Sequence, residues 1–213
     1  MRHRLATAGQ KQKTHMLILL IAGSPTLPSR STALLEATAS RLRALGADTG
    51  PVLHLSRLDP AALLGARFEA ADILQATQRV AEADAVVIAT PVYKAAYSGL
   101  LKAFLDVLPQ TAFKGKLVLP LATGGSPHHM LALDYALRPV LQSLGARYTL
   151  PGIYATDQGV SLLPEGGYVL AADIAQRVDE AAALLVDELH RASLWNVAAQ
   201  FENVAFADVR CCI

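Results

Sequence analysis

A chain of 213 residues, 53% hydrophobic and carrying a formal charge of +1, suits a single α/β domain with a substantial core. Arg2, Arg4, Lys11 and Lys13 all lie in residues 1–15 with no acid among them, so the rest of the chain carries +1 less four, or −3, which argues against a nucleic-acid-binding surface. No apolar run approaches the roughly 20 residues of a membrane span, and Cys211 and Cys212, adjacent and without metal-site spacing, fit a reducing cytoplasm.

In chain order, residues 1–15 read as a disordered basic extension, with Met16 as the original first residue behind an upstream start. The run Met16–Ala22 only loosely has the form of a signal peptide, because cleavage after it would delete what reads as the central strand. A strand over Leu17–Ala22 leads to a helix over Ser31–Leu45, then to a second strand at Val52–Leu55. In the stretch Ser56–Ala71, the segment LDPAALL has the form of a capped helical turn with Pro60 near its first position. A helix over Asp72–Ala83 precedes the third strand, Ala85–Thr90, and the helix Ser98–Leu108 follows it, with Leu100, Leu101, Phe104, Leu105 and Leu108 repeating at helical spacing. The fourth strand, Leu117–Thr123, leads into a helix over Pro127–Leu144 and a fifth strand at Tyr148–Tyr154.

A last helix, Leu170–Arg191, carries Ile174, Val178, Leu185 and Leu189 on one stripe. Five short, nearly all-apolar strands alternating with helices predict a doubly wound parallel sheet covered on both faces. The domain spans residues 16–192, and the tail 193–213 brings Trp195, Phe201 and Phe206. Pro120 conflicts with this pattern, since proline removes a ladder donor, so its strand should be bulged or less central.

Three strand ends carry the chemistry. IAGSPTLPSRSTALL (Ile21–Leu35) follows the first strand and opens a helix, so backbone N–H groups, the helix dipole and several hydroxyls converge where an anion would sit. It is neither a Walker A loop nor a GxGxxG fingerprint. Ser24, Ser29 and Ser31 could donate to a monophosphate and Arg30 could add a charge-assisted contact, although an ordinary capped helix start has the same composition.

ATPVYKAAYSG (Ala89–Gly99) follows the third strand and ATGGSPHH (Ala122–His129) the fourth. Ligands of open α/β sheets sit beyond the carboxyl ends of the strands, so these loops should meet above the phosphate site. A flat conjugated ligand with one phosphate, FMN, fits such a place. Pro91, Val92, Tyr93 and Lys94 would lie beside its ring, and Thr123, Gly124, Gly125 and Ser126 would bring backbone donors to its polar edge. Ser126 followed by Pro127 also fits a simple helix cap, and Lys94 a solvated charge. His128 and His129 diverge by about 100° on a helix and have no third ligand, so no metal is expected.

The motifs AGSP…PSRS, ATPVYKAAYSG.LK and LPLATGG…LA.DYAL.PVL, in this order over about Met16–Ala155, resemble the NADPH-dependent FMN reductases of sulfonate-utilising two-component systems. The resemblance implies a flavodoxin-like fold with strand order 2-1-3-4-5, reduction of FMN by NADPH in the cytoplasm, and release of FMNH2 to a separate sulfonate monooxygenase. It implies hydride transfer by positioning, with no general acid or base, and loosely bound FMN. The competing reading is a quinone, azo-dye or metal-ion reductase that keeps FMN as a prosthetic group. An electron carrier of flavodoxin type is disfavoured because such carriers are usually strongly acidic.

One further conflict lies in SPHHMLALDYALRPVLQSL, which is helical throughout except for Pro139, whose missing N–H would have bonded to the Tyr135 carbonyl. A kink or a π-bulge at Tyr135 resolves it. The resemblance favours the bulge and implies that Tyr135, in DYAL, belongs to a homo-oligomer interface, a dimer or tetramer, that keeps FMN binding reversible.

Overall fold

A computed structural model describes residues 16–198, and their side chains through residue 192. The extension 1–15, Phe201, Phe206, Cys211 and Cys212 lie outside the described residues. Strand β1 (Leu17–Ala22) is followed by helix α1 (Arg30–Ala44), short strands β2 (Asp48–Thr49) and β3 (Leu53–His54), and helices α2 (Pro60–Leu64) and α3 (Ala71–Glu82). Strand β4 (Ala85–Tyr93) turns back into β5 (Ala96–Tyr97), then come helix α4 (Gly99–Asp106), strand β6 (Leu117–Gly124) and helix α5 (Arg138–Ser143). Strands β7 (Tyr148–Thr149), β8 (Ile153–Thr156), β9 (Val160–Leu162) and β10 (Tyr168–Leu170) precede the long helix α6 (Ala172–Ala198).

The strand order is β2/β3, β1, β4, β6, β7/β8, all parallel, which is the flavodoxin-like order 2-1-3-4-5 with the second and fifth strands each in two pieces. Alternation along each strand builds two cores. Leu19 and Ile21 of β1 join Val86 and Ile88 of β4 under α3 and α4, where Ile73, Val80, Leu101 and Phe104 are buried. Ile18 and Leu20 join Val87, Leu119 and Leu121 under α1 and α6, whose Ile174, Val178, Leu185 and Leu189 form the stripe read from the sequence. Helix α6 continues through residues 193–198, which the sequence reading assigned to the tail.

Prolines divide the outer strands. Pro51, which has no N–H, stands between β2 and β3. Pro120 corrects its expectation: β6 is central, buried along its whole length and in continuous register with β4 from Leu117 opposite Ala85 to Thr123 opposite Pro91, with no bulge. The missing donor acts on the other edge. Leu150 N–H donates to Val118 O (2.9 Å), so in this register the nitrogen of residue 120 is the one that would donate to the Leu150 carbonyl, and the fifth strand breaks there between β7 and β8. Gly152 closes the gap; a Cβ on it would meet Leu133 Cδ1 at 2.7 Å and Pro120 O at 3.0 Å.

The segment expected to be one helix, Pro127–Leu144, is three pieces: a 3₁₀ turn (Pro127–His129), a π-helical stretch (Ala132–Leu137) and α5. Arg138 N–H donates to Leu133 O, five residues back, and Pro139 follows with no N–H to give. On the surface of this stretch Tyr135 is 79% exposed, beside exposed Met130 and Leu131.

Candidate functional site

The loops after β1, β4 and β6 meet over the carboxyl end of the sheet. Gly23 N–H donates to Ala89 O (2.7 Å), and a Cβ on Gly23 would come within 3.0 Å of that oxygen and 3.2 Å of Leu101 Cβ, so the first loop approaches β4 as only glycine allows. Ser98, the N-cap of α4, donates to Gly23 O (2.5 Å) and accepts from Leu101 N–H (3.1 Å). Thr90 Oγ1 accepts from Ser98 N–H (2.9 Å) and donates to Pro91 O (2.9 Å), which braces the second loop, while the Ser98–Gly23 bond ties it to the first.

Within the first loop, Ser24 Oγ donates to Thr26 O (3.0 Å) and accepts from Thr26 N–H (3.3 Å), folding the chain into a compact turn. Ser29 caps α1 by accepting from Thr32 N–H (3.4 Å), and its Oγ lies 2.9 Å from Ser31 Oγ. Two polar atoms of the first turn of α1, Arg30 Nε and Thr32 Oγ1, are buried and have no hydrogen-bond partner. A helix N-terminus with hydroxyls beside it and a guanidinium N–H that makes no hydrogen bond has the donor set of a phosphate subsite.

The third loop packs against the fifth strand. Tyr154 Oη donates to Ser126 O (2.5 Å), and burial, with the nearby Asp157 carboxylate, pushes the phenol above its ordinary pKa so that it stays a donor. A Cβ on Gly124 would fall 2.5 Å from Tyr154 Oη and 3.3 Å from Val92 Cβ. At Gly125 a Cβ would have room, its nearest neighbour being Asp157 Oδ2 at 3.9 Å.

These loops bound a cleft of about 290 Å³. Ser24, Ser29, Arg30, Pro91, Val92, Tyr93, Thr123, Gly124 and Gly125 line it. Ser31, Lys94 and Ser126 do not: Ser31 is buried behind Ser29, Lys94 sits on the β4–β5 turn with φ of 50°, and Ser126 caps the 3₁₀ turn by accepting from His128 N–H (3.3 Å). Thr26, Pro28, Asp157 and Leu162 complete the wall and were not singled out in the sequence. The carboxyl-end rule applied to the fifth strand would have pointed to Asp157; nothing local marks Leu162, which arrives on β9. One end of the cleft therefore offers hydroxyls and a guanidinium, and the other an apolar wall of Val92 and half-exposed Tyr93 facing the backbone of Thr123–Gly125. That donor set fits FMN: Ser24, Ser29 and Arg30 for the phosphate, Val92 and Tyr93 for the ring.

Among the described residues there is no group of three His, Cys, Asp or Glu placed to hold a metal ion, and no helix is long and apolar enough to cross a membrane.

Comparison with known proteins agrees with this geometry. The sequence model of the NADPH-dependent FMN reductase family matches residues 16–161. The chain is 48% identical over 147 residues to an FMN reductase (NADPH) of Escherichia coli strain K12, an alignment covering 68% of this chain and 75% of that protein. Among solved structures it is similar to an NADH:FMN oxidoreductase in its apo form, with TM-score 0.70 and 38% identity over 84% of this chain and 89% of that one. A flavodoxin of Streptococcus pneumoniae superposes with TM-score 0.56 at 16% identity over 81% of this chain and 99% of that one, a likeness of fold alone.

Proposed function

The chain belongs to the NADPH-dependent FMN reductase family, and from that premise we propose how its cleft works. The protein is an oxidoreductase that reduces FMN with a reduced nicotinamide nucleotide. FMN, once bound, supplies the chemistry by accepting a hydride from the nicotinamide. The chain supplies position and electrostatics. Ser24, Ser29 and Arg30 hold the phosphate at the N-terminus of α1, with Ser31 orienting the Ser29 hydroxyl from behind. Pro91, Val92 and Tyr93 form the ring wall, which the Lys94 turn presents. The backbone of Thr123, Gly124 and Gly125, which lines the cleft and is followed by the Tyr154–Ser126 hydrogen bond, is assigned to the edge where negative charge would develop. No side chain needs to move a proton.

The observation that carries this reading is that one cleft brings together the N-terminus of α1, with its hydroxyls and the Arg30 guanidinium, and the apolar, aromatic wall of Val92 and Tyr93. NADPH is the preferred reductant, FMN is exchanged as a substrate, and FMNH2 passes to a sulfonate monooxygenase in the cytoplasm. Support for these comes from the motif resemblance and from the family. Oxidation of NADPH followed at 340 nm, with and without added FMN, tests the reading: nearly colourless protein should turn over only when FMN is added, with kcat/KM higher for NADPH than for NADH. Yellow protein whose turnover ignores added FMN would identify a prosthetic-group reductase instead.

A further inference from the structure

The cleft lining contains two formal charges, Arg30 and Asp157, and they face each other: Arg30 Nε lies 3.6 Å from Asp157 Oδ1. They arrive from opposite ends of the chain, Arg30 at the start of α1 and Asp157 just beyond β8. The separation is too long for a hydrogen bond, and the two side chains are 42% and 51% exposed, so the pair contributes little to stability. Its placement has a larger effect. The other carboxylate oxygen, Oδ2, is 3.9 Å from where a side chain on Gly125 would begin, so the acid stands between the phosphate end and the backbone donors of the third loop.

A phosphate monoester carries a charge of about −1.5 to −2 near neutrality. The cleft that must receive it has a formal charge of zero, because its one cation is already faced by an anion. We propose that Asp157 is a built-in counter-ion that competes with the flavin phosphate for Arg30, lowering affinity for phosphorylated flavin and favouring its release. This rests on Ser24, Ser29 and Arg30 forming the phosphate subsite.

Fluorescence titration of FMN and of riboflavin against the full chain tests it, using the parent protein, Asp157→Asn and Arg30→Ala. Asp157→Asn keeps size and polarity while removing the charge, and should tighten FMN on the order of tenfold while riboflavin changes less than about twofold. The dissociation rate of FMN should fall in step. Asp157→Ser is the second variant should the first misfold. Unchanged FMN affinity, or equal tightening of both flavins, overturns the proposal; FMN-selective weakening overturns it too, because Asp157 would then be holding Arg30 in place. The two readings fail separately. An Arg30→Ala loss equal for FMN and riboflavin removes the phosphate subsite itself, whereas an FMN-selective loss beside a silent Asp157→Asn removes only the counter-ion role.

Discussion

Gly124 is the residue with least room to change. It lies against the hydroxyl end of Tyr154, and a methyl there would meet the phenol oxygen at 2.5 Å and Val92 Cβ at 3.3 Å. To accept it, Tyr154 must swing away from Ser126 O, freeing the third loop where its backbone lines the cleft. Gly124→Ala should therefore cost about 1–3 kcal/mol of stability by overpacking and raise the KM for FMN. Tyr154→Phe removes the clashing oxygen, so Gly124→Ala should cost less in that background. Denaturant melts of the two single variants and the double variant measure the coupling, and strict additivity would show that the two side chains do not meet.

At the scale of elements, the β4–β5 hairpin stores strain next to the ring wall. Tyr93 pairs with Ala96, leaving a two-residue turn in which Lys94 and Ala95 have φ of 50° and 65°. Positive φ at both central positions is the type I′ pattern that Asn-Gly satisfies and that L residues with a Cβ resist by roughly 1 kcal/mol each. Lys94→Asn with Ala95→Gly should raise the urea midpoint by an amount equivalent to about 1 kcal/mol at unchanged m-value. No shift would mean that the turn relaxes in solution. The hairpin presents Tyr93 and half-buried Val92 to the cleft, so its strain is carried where a ligand ring would stack.

Among the large apolar side chains exposed on the described residues, Tyr135 (79% exposed) stands on the π-helical stretch, with exposed Met130 and Leu131 just before it in the chain. That stretch contacts β5 of the strained hairpin, so a second copy seated on Tyr135 would also brace the ring wall. We therefore expect the active form to be a homo-oligomer, a dimer or tetramer, with Tyr135 in its interface. Tyr135→Ala should lower the mass seen by light scattering and yield protein that purifies yellow and turns over little free FMN. Parent-like mass and colour would make Tyr135 an ordinary surface aromatic.

Much of this was legible in the chain itself, because burial and direction are written in local periodicity. The runs from Leu17 and Ala85 alternate between two cores, Ile174 to Leu189 repeat at helical spacing, and Pro139 marks the π-helical stretch by the N–H it lacks. The hydroxyl-rich loop from Ser24 to Arg30 could be read the same way, since a strand entering a helix fixes where N–H groups point. Which loop tips meet is a different question, decided by pairings far apart in sequence. Asp157 joins Arg30, and Leu162 reaches the cleft, only once β8 has paired with β6. Ser31, Lys94 and Ser126 fall off the wall for local reasons: composition places them in the right loops, but helix phase, a left-handed turn and a cap turn them aside. Pro120 is the clearest division, a conflict visible in the chain whose resolution, a break in the neighbouring strand, exists only in the sheet register.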